Sequence, residues 1–412
     1  MKRIAVIGAG PAGMLAAAYA KTPETSVDLF DRNEKAGKKL YLTGKGRCNI
    51  TNIADRDGFL RNIPRNPRFL YSALGSFSNN DIIDLIESHG IKTKVERGGR
   101  VFPESDKSSD VIKALLSFLT KRGVRLILNT RIRSAVAENG GFVLTTYSGE
   151  KLRYDSIIIA TGGRSYPSTG STGDGYVFAE SFGHTVIKTF PSLISIVTAE
   201  KWPGELSGLS LKNVTLKAVK DGKTVYSELG EMLFTHAGVS GPLVLSASAR
   251  IADDPVGTKL YIDLKPALDH ATLDARVLRD LAANAHKQLR NALLGLMPSR
   301  LLPVVLRLSG VDPEITTDSL KKADRKNLVS VIKAIPLTVS GTSPIDEAII
   351  TRGGVSVKEI DPKTMESKLI KGLYFAGEII DVDAFTGGFN LQIAYSTGVA
   401  AGKAAAIINK EV

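Results

Sequence analysis

Apolar residues run unbroken over Ile4–Ile7 after two charged positions, then give way to glycines and an alanine-rich stretch, Met14–Lys21. A run apolar on both faces that feeds a helix is the pattern of a buried parallel strand. A second such strand is predicted over Val27–Asp31. Residues 33–52 carry glycine and lysine without periodicity, and helical spacing returns at Pro67–Ser78 and Asn80–His89. A strand at Lys92–Glu96, a turn at Gly98-Gly99 and a helix over Ser108–Lys121 follow. Val124–Leu128, Thr130–Glu138, Gly141–Tyr147 and Ser156–Ala160 read as strands.

From about Leu193 the texture changes. Alternation over Val214–Val219 and Lys223–Ser227, with Asp221-Gly222 between them, predicts a hairpin of a small barrel. Helices are expected over Thr272–Leu294, Pro298–Ser309 and Asp324–Ile335, then a strand over Pro336–Ser340. The first texture resumes in the apolar strand Gly372–Glu378 and in a small-residue helix that begins near Gly388 and runs to about Ile408. The expected fold class is α/β: a Rossmann-like domain (1–192 and 346–412) interrupted by a small β-barrel (193–268), a helical subdomain (269–334) and a returning strand (335–345).

Composition adds exclusions. The apolar runs are too short to cross a bilayer, and a single cysteine, Cys48, rules out an intrachain disulfide framework or a cysteine-rich metal site. The first strand begins at Lys2, so no cleavable leader is expected and a cytoplasmic location is the default, with no membrane partner. The net charge of +12 is uneven: residues 1–190 hold 28 Lys and Arg against 18 Asp and Glu. Residues 32–68 alone carry ten basic and three acidic side chains. Such a field attracts polyanions, RNA among them, or merely solvates the protein.

Chemistry enters at Gly8-Ala9-Gly10-Pro11-Ala12-Gly13, a G-x-G-x-x-G between strand and helix. Gly8 is expected to make the tight turn, Gly10 to let backbone approach a pyrophosphate, and Gly13 to allow close packing of the helix. The first helical amides favour the phosphates. Asp31, at the end of the second strand, suits a ribose with a free 2′-hydroxyl.

With this turn, Ala160-Thr161-Gly162 and Gly377-Glu378 complete the three separated elements of two-dinucleotide-binding flavoproteins, which the chain resembles, although Glu378 stands where Asp is usual. Gly44–Asn52, Phe234–Pro242 and Gly372–Gln392 together are similar to the BaiN/YhiN family of bacterial flavoproteins, over nearly the whole chain. The resemblance implies FAD, tightly and non-covalently bound, and NAD(P)H as a transient reductant without a domain of its own. It implies Asp31 and Arg32 at the adenosine ribose, the Ile132 backbone at the adenine, and Lys39 with Gly46-Arg47-Cys48-Asn49 along the pyrophosphate and flavin. Glu378 falls to the ribityl chain. Gly173-Asp174 resembles a T-G-D-G segment of the flavin pocket, or else is a helix-capping turn. Gly388, Phe389, Asn390 and Leu391, at the mouth of the last helix, would turn amides toward the flavin pyrimidine, where negative charge develops on reduction.

Activities implied by the resemblance are reduction of bile-acid-type enones, reduction of uridine in large-subunit rRNA, and oxidation of aminoacetone. Uridine is the leading substrate, implied by one branch of that family together with the basic charge of residues 1–190; a flavin-bound RNA-binding factor without turnover is the non-enzymatic alternative. Reducing a conjugated C=C bond requires a positioned acid. His236, in a Gly- and Ser-rich turn, is the first candidate, with a structural role as its alternative. Cys48 is the second, as a thiol donor or as a thiolate lowered by Arg47, against a buried packing role. Arg100 is available to an anionic substrate.

Overall fold

In the computed structural model, which describes residues 1–408, five strands lie parallel in the order Leu373–Phe375, Ser156–Ile159, Lys2–Ile7, Thr25–Phe30, Arg125–Ile127. Their central residues, Ile4–Val6, Leu29 and Ile157–Ile159, are fully buried, as runs apolar on both faces require. Helices Pro11–Ala20 and Phe389–Ala405 pack against the sheet and each other. A three-stranded antiparallel sheet, Ile132–Glu138, Gly141–Thr146 and Lys151–Tyr154, shares the same core through Phe142, Leu144 and Tyr154. The first strand sits between the second and Ser156–Ile159, so the strand order reverses beside it, the switch point at which open α/β sheets bind ligands.

The chain divides into two compact units: residues up to Ser192 together with those from Ile345 onward, and Leu193–Pro344. The second holds a closed barrel of six strands, Ile196–Thr198, Gly238–Ser240, Lys223–Phe234, Ser210–Lys220, Lys259–Asp263 and Ile335–Thr342, all antiparallel to their neighbours. Helices His270–Ala283 and Lys322–Lys333 pack together, joined by a two-pronged Arg325–Asp274 pair (2.7 and 3.1 Å).

Several elements differ from expectation. The helix expected over 67–78 is a 3₁₀ turn, Pro67–Leu70, followed by a helix over Tyr71–Ser76. The long helix expected over 272–294 stops at Ala283, where the backbone leaves helical geometry at Asn284 (φ −123°, ψ 37°), passes through a left-handed His286 (φ 65°), and resumes as a helix only over Leu289–Ala292. The unpatterned 33–52 stretch contains a 3₁₀ helix, Leu40–Gly46, and the last helix ends at Ala405. Helices Arg56–Arg61 and Pro242–Ile251 are additions. Among the described residues no helix is long and apolar enough to cross a membrane.

Candidate cofactor site

The glycine turn is built by contact. Gly8 has φ 107°, and a Cβ there would lie 2.4 Å from the Ala160 carbonyl oxygen; at Gly13 it would lie 1.8 Å from that of Gly8. Gly10 differs: a Cβ would meet nothing within 4 Å, so backbone borders open space at the start of helix Pro11–Ala20. The first intrahelical bond runs from Met14 N–H to Gly10 carbonyl (2.9 Å), leaving the Ala12 and Gly13 amides without helical acceptors. These features fit a pyrophosphate. The last helix crosses this one through Gly398 and Gly402, where side chains would strike the Ala12 and Ala16 carbonyl oxygens at 2.3 Å. That small-xxx-small spacing, Gly398 to Gly402, is a local signal in the sequence.

Asp31 braces the turn. Its Oδ2 accepts the Ala9 N–H (2.7 Å), and its Oδ1 accepts from Asn33 N–H (2.8 Å) and Nδ2 (2.9 Å). Arg32 donates to Thr172 Oγ1 (2.7 Å) and lies 3.4 Å from Asp174, which Arg131 grips with two bonds (2.9 and 3.0 Å). Burial raises the Asp174 pKa, but the bonds from Arg131 and Thr172 outweigh it and hold the carboxyl below its usual range. Asp174 thus bonds Arg32, expected at the adenosine ribose, and Arg131, the neighbour of the buried Ile132 expected at the adenine, and Gly173 (φ 85°) precedes its helix.

Lys39 and Glu378 meet directly (2.8 Å). Lys39 also donates to Ser165 Oγ (2.7 Å), and Glu378 Oε1 accepts from Ser165 Oγ (2.9 Å) and the Thr351 N–H (2.8 Å). Ser165 and Thr351 had no sequence signal beyond their polarity. Gly377 (φ 78°) donates its N–H to Thr397 Oγ1 (2.9 Å). In the neighbouring Ala160-Thr161-Gly162, Gly162 has φ 76°, and the buried Thr161 Oγ1 has no hydrogen-bond partner in the protein.

The Gly46–Asn49 turn is divided in use. Gly46 takes φ 86°. Arg47 is held by Glu96 and by Asp106 (Nε–Oδ1 2.8 Å) over the Phe102 ring (4.2 Å). The thiolate reading of Cys48 is corrected: burial pushes its thiol up to about 12, only partly opposed by a bond with Thr43, while the Arg47 charge goes to Glu96 and Asp106. Asn49 Nδ2 donates to the Thr51 and Val101 carbonyls (3.0 and 3.2 Å), and its Oδ1 accepts the Gly388 N–H (2.9 Å). This fastens the turn to the last helix.

That helix begins behind Gly388, at φ 97°, where a Cβ would strike the Thr51 carbonyl at 2.4 Å. Its first internal bond is Gln392 N–H to Gly388 carbonyl (3.2 Å), so the Phe389, Asn390 and Leu391 amides have no helical acceptors. The Asn390 side chain closes the preceding turn, with bonds to Ala384 N (2.9 Å) and O (2.8 Å). Asp383 in that turn is fully buried; its Oδ2 accepts from Ser192 Oγ (2.8 Å) and its Oδ1 has no protein partner. Burial raises its pKa against the opposing pull of Ser192, Arg352 and Arg65. Sequence reasoning missed it. His236 belongs to the barrel unit, on an exposed turn closed by Thr235 N–H to Gly238 carbonyl (2.9 Å).

A family model described as the HI0933-like protein Rossmann domain matches residues 2–404. The chain belongs to this HI0933-like family. It is 31% identical over 411 residues to the 3-dehydro-bile acid delta(4,6)-reductase of Clostridium scindens, covering 98% of this chain and 99% of the relative. It is 33% identical over 392 residues to the ribosomal RNA dihydrouridine synthase of Escherichia coli strain K12, covering 95% of each. Among solved structures, 3-ketosteroid delta1-dehydrogenase from Sterolibacterium denitrificans shares the fold at 15% identity and a TM-score of 0.53, over 98% of this chain and 100% of that one. HI0933-like membership thus covers the parallel sheet and the barrel alike.

Proposed function

We propose that this chain is an FAD-dependent oxidoreductase that takes its electrons from NAD(P)H and reduces an activated C=C bond, with uridine of large-subunit rRNA as substrate and the cytoplasm as its place of action. The observation that carries the reading is the end-to-end similarity to a ribosomal RNA dihydrouridine synthase in a chain whose glycine turn leaves open space at Gly10. When bound, FAD supplies a two-electron carrier able to pass hydride to carbon. The chain's part is to hold it and to manage the proton. The Ala12 and Gly13 amides and the open face of Gly10 receive the pyrophosphate, Asp31 and Arg32 the adenosine side, and the Phe389–Leu391 amides an electron-rich ring edge. Thr161 Oγ1 is a buried hydroxyl with bonding capacity to spare.

Reduction of a double bond conjugated to a carbonyl places hydride on the β-carbon and a proton on the α-carbon, so an acid of the chain delivers the second. We assign that role to His236, whose side chain is exposed where Cys48 is fully buried. His236→Ala should keep its FAD and slow substrate reduction about a hundredfold, with reduction by NAD(P)H unaffected; wild-type turnover would remove His236 from the role. The test of the function itself is mass spectrometry of large-subunit rRNA from cells with and without the gene. Gene-dependent dihydrouridine, restored by complementation, is expected. Unchanged rRNA would favour the second reading, a small-molecule enone reductase, which the equally complete match to the bile-acid reductase supports.

A further inference from the structure

The segment 53–71 is mounted on the candidate site from outside. Phe59 of helix Arg56–Arg61 packs edge-on against Phe389, the first residue of the last helix (centroids 5.1 Å apart). The Phe385 N–H donates to the Asn62 carbonyl (2.9 Å), Arg65 Nε to Asp381 Oδ1 (2.6 Å) and Asn66 Nδ2 to the Asp381 carbonyl (2.7 Å). One side of the segment is thereby fixed to the turn that opens that helix.

Its other side faces solvent. Arg56, Arg61, Arg68 and Tyr71 are exposed, and the Arg56 guanidinium lies 4.1 Å from the centre of the Tyr71 ring, which is still 48% exposed. Ile53, 53% exposed, lies in the same segment. Of the acids here, Asp55 caps the helix by accepting the Gly58 N–H (2.7 Å) and lies 4.0 Å from Arg61; Asp57 is exposed. A cation stacked on a half-exposed aromatic ring, in a segment that carries further exposed arginines, is the combination that holds unpaired nucleotides: bases stack and phosphates are neutralised. A duplex keeps its base faces inside and has no use for the ring.

We propose that the exposed face of residues 53–71 is a docking surface for single-stranded RNA, the Arg56–Tyr71 stack supporting a base while Arg61 and Arg68 meet phosphates. The proposal rests on the RNA reading above and adds the residues that receive the strand beside the last helix.

Binding of a short fluorescent oligouridylate to the holoprotein, followed by anisotropy across a salt series, tests it. Tyr71→Ala should bind about tenfold more weakly. The double change Arg61→Ala, Arg68→Ala should flatten the plot of log affinity against log salt by roughly 1.4, at about 0.7 per lost single-strand phosphate contact. Both proteins should keep wild-type FAD absorbance. Wild-type affinity and salt slope in these variants, or no binding by the wild type, would overturn the proposal. Should a variant fail to fold, photocrosslinking the wild type to thiouridine-containing RNA decides: crosslinks within 53–71 support the surface, and crosslinks confined elsewhere reject it. Binding through this face without gene-dependent dihydrouridine would reject the uridine reading and keep the surface. Dihydrouridine formation untouched by the variants would do the reverse.

Discussion

A methyl group at Gly13 would sit 1.8 Å from a backbone oxygen, whereas one at Gly10 meets nothing within 4 Å. The two glycines therefore give separate tests of folding and of the proposed cofactor binding. Gly13→Ala forces helix and turn apart and should cost about 3 kcal/mol of stability, together with FAD. Gly10→Val should leave the melting temperature of the apoprotein unchanged and abolish FAD retention; a variant that purifies with its full flavin absorbance would remove the cradle from this turn. Cys48 gives a second test at this scale. With no exposed surface and a thiol pushed up to about 12, it should resist alkylation at neutral pH in the native protein and react fully once unfolded, as counted by mass spectrometry. Labelling of the native protein at the rate of a free thiol would refute its burial.

Among connections between elements, the one at His184 is sensitive to pH. It precedes strand Val186–Ser192, with Nε2 2.8 Å from Ser367 Oγ, Nδ1 3.2 Å from Glu359 and its ring edge-on to Phe375 at 4.8 Å. Burial lowers its pKa below 6.5, against the pull of Glu359. The unfolded chain then takes up this proton more readily than the native one, so stability is intact above pH 6.5 and falls as pH drops toward the lowered value. Melting temperatures should decline between pH 7 and 5, less steeply in His184→Gln; identical slopes would discharge His184. Elements with strong apolar runs or alternation, such as Lys2–Ile7, Ser156–Ile159 and the barrel hairpin, were legible in the sequence because burial on one or both faces writes itself as a period. The interruptions were not. The backbone leaves helical geometry at Asn284 and turns left-handed at His286, within a stretch whose apolar spacing continues across the break, and Arg56–Arg61 is held by Phe59 against Phe389, a partner more than 300 residues away. The same holds for the site: the glycines and Asp31 follow a local spacing, whereas Lys39, Glu378, Ser165 and Thr351 come together only through the fold.

On the scale of the molecule, the inserted unit closes on itself. Strand Ile196–Thr198 pairs with Ile335–Thr342, and the Ser343 N–H reaches the Ser195 carbonyl (3.1 Å), so the unit's two ends lie side by side around a core of its own. Residues 193–344 expressed alone should melt in one cooperative transition followed by circular dichroism; a gradual, non-cooperative loss of signal would show that the barrel needs the rest of the chain. The charge is divided as well, since most of the +12 excess falls before residue 190, and the sensitivity to salt expected of RNA binding belongs to that part.

The crossing of the first and last helices through Gly398 and Gly402 also sets a timetable. In synthesis the glycine turn emerges long before the helix that packs on it. Between the two, the nascent chain carries its alanine-lined first helix without the partner that covers it. A chain cut short before Phe389 would be left with an open seam along that first helix.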